Sequence, residues 1–232
     1  MTTTFITGAN KGLGRETARR LVEAGHTVLL GARDPQAGRR AAEEVGARFV
    51  QVDVTDEASV AAAAADVAAH EGAVDVLVNN AGVSGAHVDV PDLSADDVAA
   101  VLDVNLLGVV RTTRAFLPLL RRSADPVVIN VASGLGSTRL THDPSRIEST
   151  VVAPAYTASK AALIMLTTQY AKALPDVRVN VVDPGYTATD LNGHSGPQTV
   201  TEGTDAVVRL ATEGPGHGSG RFLDRDGEIG WS

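Results

Sequence analysis

The chain has 232 residues, 44% of them hydrophobic and 21% charged, which fits one large α/β domain and excludes disorder as the dominant state. Twenty Lys and Arg against 28 Asp and Glu give a net charge of -8, and no basic run exceeds a pair, so a nucleic-acid partner is not expected. With no cysteine, disulfides, thiolate metal sites and cysteine nucleophiles are excluded together.

Short aliphatic runs alternate with helical segments along the chain. Strands are expected at Thr3–Thr7, Thr27–Leu30, Arg48–Val52 and Val74–Asn79, with helices at Leu13–Ala24, Pro35–Val45 and Glu57–His70 between them. Helices Ala95–Leu107 and Gly108–Arg121 then precede a strand at Val127–Val131. Helix Tyr156–Leu174 precedes strand Val177–Val182, and helix Thr201–Ala211 precedes a weak strand at Arg221–Leu223. Asp56 and Ser94 stand where helix caps belong, Pro35 at a first helical position and Gly25 at a left-handed helix exit.

Alternating strands and helices imply right-handed crossovers, and near-continuous apolar strands imply a sheet buried on both faces. The expected fold is α/β: one doubly wound domain over residues 1–232, a mostly parallel seven-stranded sheet with helices on both faces. Two stretches, 134–154 and 185–199, lack periodicity, and loops that long in a compact domain are usually functional. The first strand begins almost at residue 1, and no apolar stretch reaches membrane-spanning length. A cytoplasmic protein with no membrane partner is expected.

Directly after the first strand comes T-G-A-N-K-G-L-G, residues 7–14, and then a helix. Gly8, Gly12 and Gly14 let this backbone turn tightly and approach a pyrophosphate at the positive helix end, with Asn10, Lys11 and Leu13 completing the loop. A plain strand-to-helix turn would explain the glycines alone; their position between strand and helix favours phosphate. The second strand ends Leu30-Gly31-Ala32-Arg33. Ala32 offers no carboxylate for ribose hydroxyls, whereas Arg33, with Lys11, suits a 2′-phosphate. The plain alternative is an Arg33–Asp34 surface pair. NADP(H) is therefore expected in preference to NAD(H).

Tyr156-Thr-Ala-Ser-Lys160 puts a phenol and an ammonium one helical turn apart. A phenol with a pKa of ~10 is a poor base at neutral pH, and a nearby cation favours its ionised form. Tyrosine and lysine are both scarce here, so chance explains the pairing poorly. Ser133, at the end of the fifth strand, lies where open parallel sheets bind ligands, although alone it would read as a turn residue. The histidines His26, His70, His87, His142, His194 and His217 show no metal-ligand spacing, and no metal is expected.

In order, T-G-x3-G-x-G, N-N-A-G, a lone helical Asn, a strand-end Ser and Y-x3-K resemble the short-chain dehydrogenase/reductase family over essentially the whole chain. The glycine spacing is similar to that of its compact, carbonyl-reductase-like branch, which has a Rossmann-type sheet. The resemblance implies that Tyr156 is the general acid in ketone reduction or the base in alcohol oxidation. It implies that Lys160 lowers the tyrosine pKa and holds the nicotinamide ribose, that Ser133 positions the carbonyl oxygen, and that Asn105 holds a relay water. Asn80, Ala81 and Gly82 would line the adenine and ribose side, with Asp53 and Val54 flanking the adenine. Pro184, Gly185, Thr187 and Thr189 would lie beside the nicotinamide. Bland readings are a turn for Asn80 and Gly82, a satisfied buried amide for Asn105, and a helix cap for Thr189.

The implied function is NADPH-dependent reduction of a ketone or aldehyde to an alcohol. The alternatives are an NAD(P)-dependent secondary-alcohol dehydrogenase, or a non-catalytic NADP-sensing protein, which typically lacks the tyrosine or lysine. A lyase or epimerase is disfavoured by the short chain. Ser133 and Tyr156 stand 23 positions apart, about twice the family interval. The extra residues, near 140–152, are expected to form a flap or wall of the substrate pocket. Deleting Leu140–Thr150 is expected to change substrate preference or KM far more than NADPH affinity. The insertion leaves a monomer, a dimer or a tetramer open.

Overall fold

In the computed structural model, which describes residues 2–86 and 88–231, the apolar runs form one seven-stranded sheet. His87 lies outside the described residues. Strand β1 (Thr3–Ile6) runs between β2 (Thr27–Ala32) and β4 (Val76–Asn79). Beyond β2 lies β3 (Arg48–Gln51); beyond β4 follow β5 (Val127–Val131), β6 (Arg178–Val182) and β7 (Phe222–Leu223). Every strand pairs in parallel with its neighbours, as expected of a mostly parallel sheet, and the one antiparallel pairing among the described residues is an isolated bridge between Leu223 and Glu228.

Successive strand residues point to opposite faces and divide the core in two. Ile6, Leu30, Val78 and Ile129 pack against α1 (Gly12–Glu23), α2 (Pro35–Val45) and α9 (Asp205–Thr212). Phe5, Leu29, Leu77 and Val128 pack against α3 (Glu57–His70) and α5 (Gly108–Leu120). Phe5 and Phe116 stack with ring centroids 4.3 Å apart. Each fully buried side chain of this size contributes roughly 1.5–3 kcal/mol. A polar ladder crosses the second face. Asn79 on β4 donates to its register partner Asn130 on β5 at 2.9 Å, Thr112 donates to Asn79 at 2.6 Å, and Asn130 donates to Thr167 at 2.9 Å.

Several boundaries differ from the sequence reading for local reasons. The expected helix Ala95–Leu107 is α4 (Ala95–Leu102) followed by a π-helical turn, Asp103–Leu107, that runs straight into α5. Such turns insert an extra residue and gather at functional sites. The expected helix Thr201–Ala211 breaks at Thr204 into α8 (Val200–Gly203) and α9. Helix α7 (Pro154–Ala173) starts early because Pro154 takes a first-turn position. Asp56 and Ser94 cap their helices, and Gly25 has φ +86°.

The 134–154 stretch is not one open loop. It contains 3₁₀ turns at Gly134–Gly136 and Ile147–Thr150 around α6 (Thr138–Thr141). Leu140 is 1% exposed and packs with Leu163 and Phe222 in a third cluster. Deleting Leu140–Thr150 would therefore also open this core and cost stability, besides the expected change in substrate preference or KM. Among the described residues no helix is long and apolar enough to cross a membrane.

Candidate active site

The cleft opens where β1 meets its two crossovers, at the carboxyl ends of the strands. The glycine loop there is built on backbone approach. A Cβ on Gly8, which has φ +64°, would stand 2.8 Å from Ala81 Cα, and one on Gly14 would meet Asn80 Nδ2 at 2.5 Å. Asn80 Nδ2 donates to the carbonyls of Thr7 at 2.8 Å and Gly8 at 3.1 Å, while Thr7 Oγ1 accepts from the Asn80 and Ala81 amides at 3.0 Å. The N-N-A-G segment is thus fastened to the glycine loop. Lys11, the N-cap of α1, makes no side-chain capping bond, and the first turn of the helix carries no acid. Free N–H groups and an unopposed helix dipole fit a pyrophosphate.

On the adenosine side, Arg33 Nε stands 4.0 Å from Asp53, with the arginine side chain 79% exposed. Burial works to raise the Asp53 carboxyl, but Thr55 hydrogen bonds and the Arg33 and Arg111 charges hold it below its ordinary value. Lys11 Nζ lies 3.2 Å from Asp190, across the cleft. Both cations are paired only at the surface, where such pairs are weak.

At the other end of the cleft, α7 places Tyr156 and Lys160 on one face. Lys160 Nζ donates to Val131 O at 2.8 Å and lies 5.6 Å from the Tyr156 ring centroid. Ser133 stands by Tyr156 and accepts from the Leu135 amide at 3.2 Å. Burial pushes the Tyr156 phenol up to about 12, against the pull of the Ser133 hydroxyl, and Lys160 down to about 8. Burial disfavours both charges at once, and Lys160 is not among the groups that shift the phenol. The phenol keeps its proton at neutral pH.

Pro184, Gly185, Thr187 and Thr189 form the facing wall. Thr187 Oγ1 donates to Pro184 O at 2.9 Å, and Thr189 caps the short turn Asp190–Asn192. All the sequence-identified residues except Asn105 line this single cleft of about 1290 Å³. The fully buried Asn105 side chain pairs with both backbone groups of Val83 and with Ser159 Oγ, each at 2.9 Å. A Cβ on Gly82 would touch Asn105 Oδ1 at 3.4 Å and Lys160 Nζ at 3.6 Å, so Gly82 separates these two groups.

Sequence reasoning missed Thr7 as a fastener, the buried Asp183, the Arg146–Glu148 pair and Val88 on the apolar rim, whose other members, Ile147, Val151, Val152, Tyr186 and Leu191, lie in the two stretches expected to be functional. Asp183 carried a readable signal, the same as that of Ser133: a polar residue just past a strand's carboxyl end. Val88 carried none, and within the two stretches no period marked which apolar side chains turn to the cleft.

The short chain dehydrogenase family model matches residues 2–199. The (-)-isopiperitenone reductase of Mentha piperita is 32% identical, the match covering 96% of each chain. Among solved structures, salutaridine reductase from Papaver somniferum superimposes with a TM-score of 0.85 at 28% identity, covering 97% of this chain and 100% of the other. An NADPH-bound carbonyl reductase from chicken fatty liver gives 0.86 at 26% identity, covering 99% and 98%. The parallel sheet agrees with these matches: the chain belongs to the short-chain dehydrogenase family of oxidoreductases that use nicotinamide cofactors.

Proposed function

We propose that the protein reduces a predominantly apolar ketone or aldehyde with NADPH, Tyr156 delivering the proton. The observation that carries this reading is a protonated phenol next to the Ser133 hydroxyl and a buried lysine, all three lining one cleft with an apolar mouth.

Ser133 and Tyr156 are the two hydroxyls that hold the carbonyl oxygen, orienting the carbon above them. The bound nicotinamide supplies the hydride. As charge grows on the oxygen, Tyr156 Oη gives up its proton. Lys160, with its pKa drawn down to about 8, stands behind the phenol to replace it. Asn105 acts through Val83 and Ser159, which fix the wall next to Lys160.

Preference for the phosphorylated cofactor is supported by Arg33 and Lys11, exposed cations whose surface partners a 2′-phosphate would displace. The similar carbonyl reductase is NADPH-bound. Apolar substrate character is supported by the rim, where Val152 is 80% exposed and Ile147 55% exposed. The similar reductases named for isopiperitenone and salutaridine point the same way. The test is consumption of NADPH and NADH against ketones, aldehydes and quinones, with Tyr156→Phe as control. Turnover with NADPH that the variant loses is the expected result; tight NADPH binding with no turnover on the panel overturns it.

A further inference from the structure

Immediately past β6 the chain places Asp183, a carboxylate only 3% exposed that the reduction outlined above does not use. Its Oδ1 accepts from the Gly185 amide at 2.9 Å, and Gly134 is packed against its Oδ2, which a Cβ there would meet at 2.6 Å. These two glycines belong to different walls of the cleft. One follows Ser133, the hydroxyl that faces the carbonyl; the other follows Pro184, in the segment opposite. A single short side chain therefore spans the two turns.

The insertion closes on the same point. A Cβ on Gly134 would meet Asp183 Oδ2 at 2.6 Å and Glu148 Oε1 at 2.9 Å, so the two carboxylates converge over one glycine. Arg146 grips Glu148 from outside, Nε to Oε2 at 3.1 Å and Nη2 to Oε1 at 2.9 Å. The charged and titratable groups facing Asp183 are Tyr156 and Lys160 from α7, Arg146 and Glu148 from the insertion, and Asp224 after β7.

We propose that Asp183 is a positioning residue: it spaces the Ser133 turn from the Pro184–Gly185 turn, sets one negative charge behind Tyr156 and Lys160, and is coupled through Glu148 to the insertion. The proposal rests on the reductase reading. Burial, Glu148 and Asp224 raise the Asp183 carboxyl, while the nearby Gly185 and Gly134 amides oppose them. When ionised, it raises both Tyr156 and Lys160. Removing the charge must move both of those pKa values down.

The experiment compares wild type with Asp183→Asn in the full chain. Expected are a fall in kcat of about tenfold or more, KM and NADPH Kd within about threefold, and an alkaline limb of carbonyl reduction displaced to lower pH. A kcat lowered evenly at all pH values, with the limb unmoved, makes Asp183 a loop staple only and overturns the proposal. If Asp183→Asn does not fold, Asp183→Ser, smaller and still an acceptor, is judged by the same limb; failure of both to fold also overturns it. In Asp183→Asn/Glu148→Gln the loss should be smaller than the product of the single losses; a simple product removes the coupling to the insertion. Absence of turnover in wild type counts against the reductase reading alone. The Lys160 amine, titrated by NMR, then tests Asp183 through the same downward shift in Asp183→Asn.

Discussion

The two ends of the cleft are built from different materials. The glycine-loop end is made of backbone: Gly8 against Ala81, Gly14 against Asn80, amides fastened by Thr7 and a helix N-terminus left open. The substrate end is made of side chains: a Ser–Tyr–Lys group, a buried carboxylate bridge and an apolar rim on short turns. Backbone construction fixes shape for a ligand part that never changes. Side-chain construction leaves the other end free to vary while the same fold holds the cofactor.

The sharpest way to break this division is Tyr156→Phe. It should lower kcat by roughly 10²–10⁴-fold while NADPH Kd, measured by fluorescence, stays unchanged. Gly14→Ala attacks the other end, because its Cβ would stand 2.5 Å from Asn80 Nδ2, 2.7 Å from Gly8 O and 2.8 Å from Ala9 Cα. It should cost about 1–3 kcal/mol of stability and weaken NADPH binding, read by denaturant unfolding and titration. Gly193→Ala, with φ +61° but nothing within 4 Å of its Cβ among the described residues, should cost only about 1 kcal/mol. Equal losses at the two glycines would erase the contrast.

Smaller effects sharpen it. Arg33→Ala should weaken NADPH about tenfold, the worth of one charge-assisted contact, and leave NADH untouched. A matching loss for NADH would assign Arg33 to the adenosine in general. Val152→Ser, on the exposed rim, should raise KM for an apolar carbonyl about two- to fourfold with no change in Tm. An unchanged KM would remove the insertion from the substrate wall.

The same division explains what was legible in the sequence. Gly8, Gly14, Asn80 and the Tyr156–Lys160 pair are local patterns, because backbone turns and one helical turn have fixed spacing, and all of them meet in one cleft. Sheet and helix order were legible because strands buried on both faces read as unbroken apolar runs. The π-turn before Gly108 was not, since an extra residue within a helix leaves the composition unchanged. The 134–154 stretch read as loop although Leu140 is buried, because a lone core residue among polar neighbours has no period. Nor could the sequence give the sign of the balance at Tyr156. That depends on how deeply phenol and amine are buried together, a tertiary quantity.

The Asn79–Asn130 pair has a consequence for how the molecule finds its own alignment. β4 and β5 are otherwise Val, Ile and Leu on both faces, and such strands can slide by two residues with little change in apolar burial. The asparagines carry the missing address. A two-residue slip would strand buried amides at about 1–3 kcal/mol per group, so only one alignment satisfies them. Asn80 follows Asn79 directly and Ser133 lies three residues past Asn130. The ladder that selects this alignment thereby sets the distance between the Asn80 wall and the Ser133 hydroxyl.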